Sequence, residues 1–165
     1  MTRTAASLAK PAGWLVAVDL DSGSLPPAAS FVEHERATAI RDLIAENAFL
    51  PAGRTSGEFH LGLSISDGKL VFAVAEADGE PVVRHILSLS PLTRVIKDYF
   101  LICDSYYAAV RSAGPSQIEA IDMGRRGVHN EGATILRERL SGKIAVDFDT
   151  ARRLFTLVSA LAWKG

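Results

Sequence analysis

Leu89–Ala113 reads LSPLTRVIKDYFLICDSYYAAVRSA. Leu92, Ile96, Tyr99, Cys103, Tyr106 and Val110 recur at alternating steps of four and three residues, one stripe of a helix with a 3.6-residue period. Val95, Phe100, Ile102 and Tyr107 widen that stripe, so the helix has to be covered on more than one side. Its ends are written as well. Ser90 is placed to cap the free N–H groups, Pro91 suits a first turn that needs no N–H, and Gly114-Pro115 closes it. At about 1.5 Å per residue the helix is roughly 33 Å long, the width of a small domain. The rest of the chain is expected to pack against it.

Upstream, Phe59, Leu61, Leu63 and Ile65 alternate with His60, Gly62, Ser64 and Ser66, the period of a half-buried strand. Asp67-Gly68 then marks a tight hairpin. A two-residue loop sets Ile65 against Leu70, Leu63 against Phe72 and Leu61 against Val74, so every core residue meets another. Asp78-Gly79 leads into a third strand, Pro81–Leu89. His85 shares the face of Phe72 if that loop has two residues and turns away if it has three. Trp14–Leu20 reads as a first strand, at an edge or in the middle of the sheet. Residues 1–12 read as a loose arm and 21–29, with Gly23 and Pro26-Pro27, as a connection. Ser30 and Glu33 have the spacing of a capping box that opens a helix running to about Asn47, and Pro51, Gly53 and Gly57 mark a polar loop.

Downstream the chain reads as helical. Ser116 and Glu119 suggest a second capping box, for a short helix stopping at Gly124. A loop through Arg125-Arg126-Gly127-Val128-His129 follows, then a helix from about Asn130 to Leu140, an edge strand at Lys143–Val146, and a final helix, Thr150–Trp163, capped by Asp149. The fold class is therefore α+β: a small, mainly antiparallel sheet, a β-meander plus an N-terminal strand, packed by a long central helix with a helical C-terminal third. The 165 residues fit one domain.

Composition narrows the function classes. A net charge of −1 provides no global field toward nucleic acid or an anionic membrane. No stretch has the apolar length of a membrane span, and the N-terminus lacks the form of a signal peptide. One cysteine excludes an internal disulfide framework and any multi-cysteine zinc site. The cytoplasm is the expected compartment.

The densest polar cluster is Asp122–Gly132, DMGRRGVHNEG. Glycines that permit a tight turn, two forked arginines and a helix N-terminus at Asn130 together suit an anion. Arg125, Arg126, Gly127, His129 and Asn130 are the candidate ligand-binding residues. The competing reading is a plain helix connection whose arginines cap carbonyls or pair with Asp122 and Glu131. Asp122, His129 and Glu131 lack the spacing of a metal site, and no metal is expected. A helix-turn-helix with Arg137, Arg139 and Lys143 near nucleic acid needs a shorter turn and fewer glutamates, so nucleic acid is not expected. Cys103, on the apolar stripe, reads as inert. His34, amid Glu33, Glu35 and Arg36, reads as part of a solvated helix face.

The phrases HILSLSP, KDYFLICDSYY, PSQIEAIDMGRRGVHNEG and GKIAVDFDTARRLFTLVSAL, with EHERATAI nearer the start, resemble an alphaproteobacterial group, uncharacterised protein family 0262 (UPF0262). The resemblance covers the chain from the first strand to the C-terminus. It implies a bacterial cytoplasmic protein and carries over no activity, cofactor or functional residue.

The function expected first is a non-catalytic binding or regulatory protein whose 122–132 loop recognises an anionic group on a small molecule or a protein partner. The alternative is an enzyme acting on a phosphorylated or carboxylated substrate, with His129 as general acid or base, Arg125 and Arg126 as anion clamp, and Asp122 or Glu131 orienting the histidine. Apolar residues around the central and final helices, in excess of what one small sheet covers, predict a homodimer.

Overall fold

The structure, a computed structural model, describes residues 11–21 and 30–163. Residues 1–10 of the expected 1–12 arm, most of the 21–29 connection and the side chain of Ser30, with its capping box, lie outside the described residues. Ala12, at the end of the expected arm, is tied down: its carbonyl accepts from Gly57 N at 3.0 Å.

Four strands form the main sheet in the order β1 (Gly13–Leu20), β3 (Gly57–Ser66), β4 (Lys69–Glu76) and β5 (Pro81–Ser88). The β3–β4 hairpin has the register its alternation dictates, with Ile65 opposite Leu70, Leu63 opposite Phe72 and Leu61 opposite Val74. Asp67 and Gly68 both take positive φ, 53° and 72°, the left-handed pair that matches the twist of a two-residue hairpin. In the β4–β5 pair Phe72 faces His85, and a bulge between Val74 and Ala75 absorbs the extra length of the Asp78-Gly79 turn. β1 is an edge strand, parallel to β3 and slipped once between Leu15 and Ala17. Beside that slip, Asn47 accepts from Leu15 N at 2.7 Å and donates to Leu15 O at 3.0 Å and Leu43 O at 2.8 Å. A buried amide thus stands in for a strand partner and finishes helix α1 (Ser30–Ala45).

The expected polar loop after that helix contains a strand. Phe49–Pro51 (β2) pairs antiparallel with Ile144–Val146 (β6), forming a separate two-stranded sheet. Both strands bury alternate residues, Phe49 and Pro51 on one and Ile144 and Val146 on the other. Three residues beginning at the end of a helix are too short for periodicity to reveal.

Helix α2 (Ser90–Ser112) is the long helix of the opening stretch. Leu92, Val95, Ile96, Tyr99 and Cys103 are buried, but the stripe then turns: Ala109 is buried, Tyr106 is half-buried and Val110 is exposed. Ser90 does not cap it. Its own N–H donates to Ser88 Oγ at 3.3 Å. The most enclosed helix is the last, α4 (Phe148–Ala162), which buries nine residues, Leu154, Phe155, Leu157 and Val158 completely. Its cap is Asp147, whose carboxylate accepts from Thr150 N at 2.8 Å, not the expected Asp149. Buried residues of both sheets and all four helices form one apolar cluster.

The largest departure is α3, one unbroken helix from Pro115 to Leu140. It runs through the segment read as two helices and a loop. Ser116 lies inside its first turn, with Gly114 at the cap position, so the Ser116–Glu119 capping box is absent. Gly124 and Gly132 are there for packing and not for turning. A Cβ on Gly132 would lie 2.4 Å from the Phe155 ring, and one on Gly124 would lie 3.0 Å from Ile102 Cδ1. Their missing side chains let α3 approach α4 and α2, which offsets the roughly 1 kcal/mol that an interior helical glycine costs. Gly127 has nothing near its missing Cβ. Gly127→Ala is therefore expected to raise unfolding stability by about 1 kcal/mol, whereas Gly132→Ala should lower it by roughly 1–3 kcal/mol through overpacking against Phe155. Urea unfolding of the two variants tests this; a loop at 122–132 would remove the stabilising effect at Gly127.

Candidate functional site

Because 122–132 is helical, the residues expected to cradle an anion are dispersed around a helix, and Asn130 offers no free N-terminal N–H groups. Arg125 and His129, one turn apart, face inward; Arg126, Gly127 and Asn130 face solvent. The inward pair joins a polar network where the four helices meet. Its centre is Glu35 of α1, which the sequence pattern had left on a solvated face. The Glu35 carboxylate accepts from Tyr99 Oη at 2.6 Å and Tyr107 Oη at 2.5 Å, and lies 3.6 Å from Arg125. Arg125 also donates to Asp122 Oδ1 through Nε at 3.2 Å and a terminal nitrogen at 2.9 Å, while its guanidinium lies 4.3 Å over the Tyr106 ring. Asp122 takes Arg126 on its other oxygen at 2.9 Å. Two arginines thus meet two carboxylates, Arg125 within the junction and Arg126 from its solvent side.

His129 is separated from both acids proposed to orient it. Asp122 holds the arginines, and Glu131 pairs with Arg94 of α2 at 2.6 Å. Its Nε2 lies 2.8 Å from the Arg152 carbonyl and 2.9 Å from Thr156 Oγ1. A carbonyl only accepts, so Nε2 carries the proton and Nδ1, 3.4 Å from an Arg152 guanidinium nitrogen, is the acceptor. The imidazole is pushed down to about 4, by burial first, with the hydrogen bond to the Arg152 carbonyl opposing the shift and the adjacent Arg152 cation adding to it. Its ring packs against both Tyr99 and Phe155, 5.3 Å and 5.9 Å away between centroids. Tyr99 and Tyr107 are both raised, by burial first, with Cys103 and Glu35 adding to it at Tyr99 and Glu35 at Tyr107, so each is a protonated donor. Burial also pushes the Cys103 thiol up to about 12, which makes it inert.

A second cluster brings together positive charges far apart in sequence. Arg54 follows β2, Arg137 lies in the last turn of α3, and Lys143 immediately precedes β6. With Ser141 and Gly142 they line a pocket of about 370 Å³ in which no acidic residue takes part. Arg137 is held by its Nε, which donates to Val146 O at 2.9 Å. Arg54 shares Glu76 at 2.8 Å, and Lys143 has no ionic partner among the described residues. The sequence places Arg137 and Lys143 near each other but cannot bring Arg54 to them, because that contact follows from pairing β2 with β6. Among the described residues, no group of three or more histidine, cysteine or acidic side chains is arranged to hold a metal, and no helix is long and apolar enough to cross a membrane.

The fold and these two clusters define the class: an α+β protein with an internally neutralised polar junction and a small basic pocket. The chain belongs to the uncharacterised protein family UPF0262, whose profile matches residues 12–164. It is 63% identical to a UPF0262 protein of Rhizobium etli over 134 residues, covering 81% of this chain and 85% of that one. It is 57% identical over 151 residues to one from Rhodopseudomonas palustris, covering 92% and 93% of the two chains, and 56% identical over 158 residues to one from Xanthobacter autotrophicus, covering 95% and 96%. No solved structure matches it.

The neutral His129 has a pH consequence. Its folded pKa of about 4 lies below the usual value of 6.5, so the unfolded chain binds the proton more readily. The contribution is complete above pH 6.5 and is lost as pH falls toward 4, by about 3 kcal/mol in all. Denaturant unfolding at several pH values should show this slope in the parent and its absence in His129→Gln.

Proposed function

We propose that this protein binds an anionic group, a phosphate or carboxylate on a small molecule or partner, and that it does so without catalysing a reaction. The observation that carries this reading is the convergence of Arg54, Arg137 and Lys143 on one pocket without a lining acid. The pocket has the order of volume that suits a small ligand or the charged end of a larger one. Arg137, preset by its bond to Val146, leaves terminal nitrogens for a forked contact, and Lys143 adds an unpaired charge. The Ser141-Gly142 turn, with Gly142 at φ 80°, brings the backbone to the same rim.

This reading moves the expected anion site from Arg125 and Arg126 to the β2–β6 edge. The reason is electrostatic: Arg125 and Arg126 already face Asp122 and Glu35, and a ligand would have to displace those pairs. The non-catalytic part rests on the same accounting. A general acid or base needs a nitrogen or oxygen free to meet substrate, whereas both ring nitrogens of His129 are engaged and its half-buried ring packs against aromatic neighbours.

Thermal unfolding with inorganic phosphate, pyrophosphate and dicarboxylates tests the proposal. At about tenfold excess over its dissociation constant, a ligand stabilises by about 1.4 kcal/mol, a rise of roughly 3–5 °C for a chain of this size. Lys143→Ala should lose most of that rise and Arg126→Ala should keep it. A shift that survives Lys143→Ala but disappears in Arg126→Ala returns the site to α3, and no shift with any of the anions removes the reading.

A further inference from the structure

The outward face of α2 has a pattern that the other described residues do not use. Ser90, Thr93, Lys97, Leu101, Asp104, Ala108 and Arg111 are all exposed and fall within an arc of roughly 80° along the helix. Leu101 at its centre is 61% exposed, among the largest values for an apolar side chain here. Lys97 and Asp104, two turns apart, have no ionic partner among the described residues, although charged neighbours on the same helix do: Arg94 holds both Asp98 and Glu131. A groove of about 870 Å³, floored by Ile96, Phe100 and Trp163, opens beside Leu101.

The order of residues along this face is self-complementary. When two copies of α2 lie antiparallel about a twofold axis passing between Phe100 and Leu101, Lys97 of one faces Asp104 of the other, and the reverse pair forms by symmetry. Leu101 then meets Phe100 at the mouth of the partner's groove, and Thr93 meets Ala108. Ala108 is small enough for close approach. This is the isologous contact that a twofold dimer requires, one patch satisfying itself. A parallel arrangement in register would set Lys97 against Lys97 and Asp104 against Asp104.

We infer that the protein forms a twofold homodimer through the exposed face of α2, with reciprocal Lys97–Asp104 ion pairs on either side of a Leu101–Phe100 centre. The interface uses none of the residues of the basic pocket, so it stands or falls independently of anion binding. The contact runs for about 24 Å, from Thr93 to Ala108, which suits an association in the micromolar range more than an obligate assembly.

Charge exchange tests it. Sedimentation of the full chain at tens of micromolar is expected to show a dimer. Lys97→Asp places two acids together at each end of the contact, and Asp104→Lys places two bases there, so each single variant should dissociate about tenfold or more readily. The double variant Lys97→Asp, Asp104→Lys restores both pairs and should dimerise like the parent. An equimolar mixture of the two single variants should form a heterodimer that neither forms alone. Since these side chains are exposed, circular dichroism should match the parent in every variant, and so should the melting temperature when measured at a concentration low enough for all of them to be monomeric. A parent that stays monomeric overturns the inference. So does a parent dimer indifferent to the single exchanges, which would place the contact on another face.

Discussion

Phe155 lies where a side chain on Gly132 would have to be, and much of the structure follows from that contact. With its ring pressed against the bare backbone of α3, α4 sits deep enough to bury nine of its fifteen residues, polar ones included. Thr150 accepts from Ala48 N at 2.9 Å, and Ser159 donates back to the Phe155 carbonyl at 2.8 Å, so their burial leaves no hydroxyl unsatisfied. The same close approach carries His129 to the Arg152 carbonyl and Thr156, and makes the imidazole a neutral internal strut. α2 then closes over α3 at Gly124, bringing Tyr99 and Tyr107 to Glu35. A bulkier residue at position 132 would separate α3 from α4 and loosen the polar junction along with the apolar core.

That junction shows how charge is disposed of when four helices meet. Glu35, Asp122 and Arg125 are enclosed deeply enough to be costly alone, and each is answered by another: two phenols and a cation on Glu35, two guanidinium groups on Asp122, a carboxylate and an aromatic face on Arg125. A network satisfied on all sides rigidifies and has little left to offer a ligand. Charges without an ionic partner among the described residues lie elsewhere, Arg137 and Lys143 at the β2–β6 edge and Lys97 and Asp104 on the outer face of α2, which is why both proposals leave the richest polar segment of the sequence for quieter surfaces.

Where the period of the sequence equals the period of an element, the reading held. The β3–β4 register follows from alternation plus Asp67-Gly68, and the extent of α2 follows from its stripe, because each rests on local geometry alone. The failures share one cause. Glycine serves both a turn and a close helix contact, and Gly124, Gly127 and Gly132 look alike until Ile102 and Phe155 arrive. Glu35 sits in a run of charged residues, and nothing near it in sequence announces that Tyr99 and Tyr107, 64 and 72 positions away, will use it. The β2 strand is too short to have a period and exists only through its pairing with β6.

By itself the sequence determined the α+β class, the hairpin register, the span of the long helix and the inertness of Cys103, since each depends on neighbours within a few residues or on composition. Only the tertiary structure decided that 115–140 is one helix, that the final helix is the most enclosed, that His129 is neutral and held, and that Arg54 joins Arg137 and Lys143. Those outcomes turn on which groups compete for a partner once the chain is packed. A guanidinium beside a carboxylate and the same guanidinium beside open solvent read identically in the sequence.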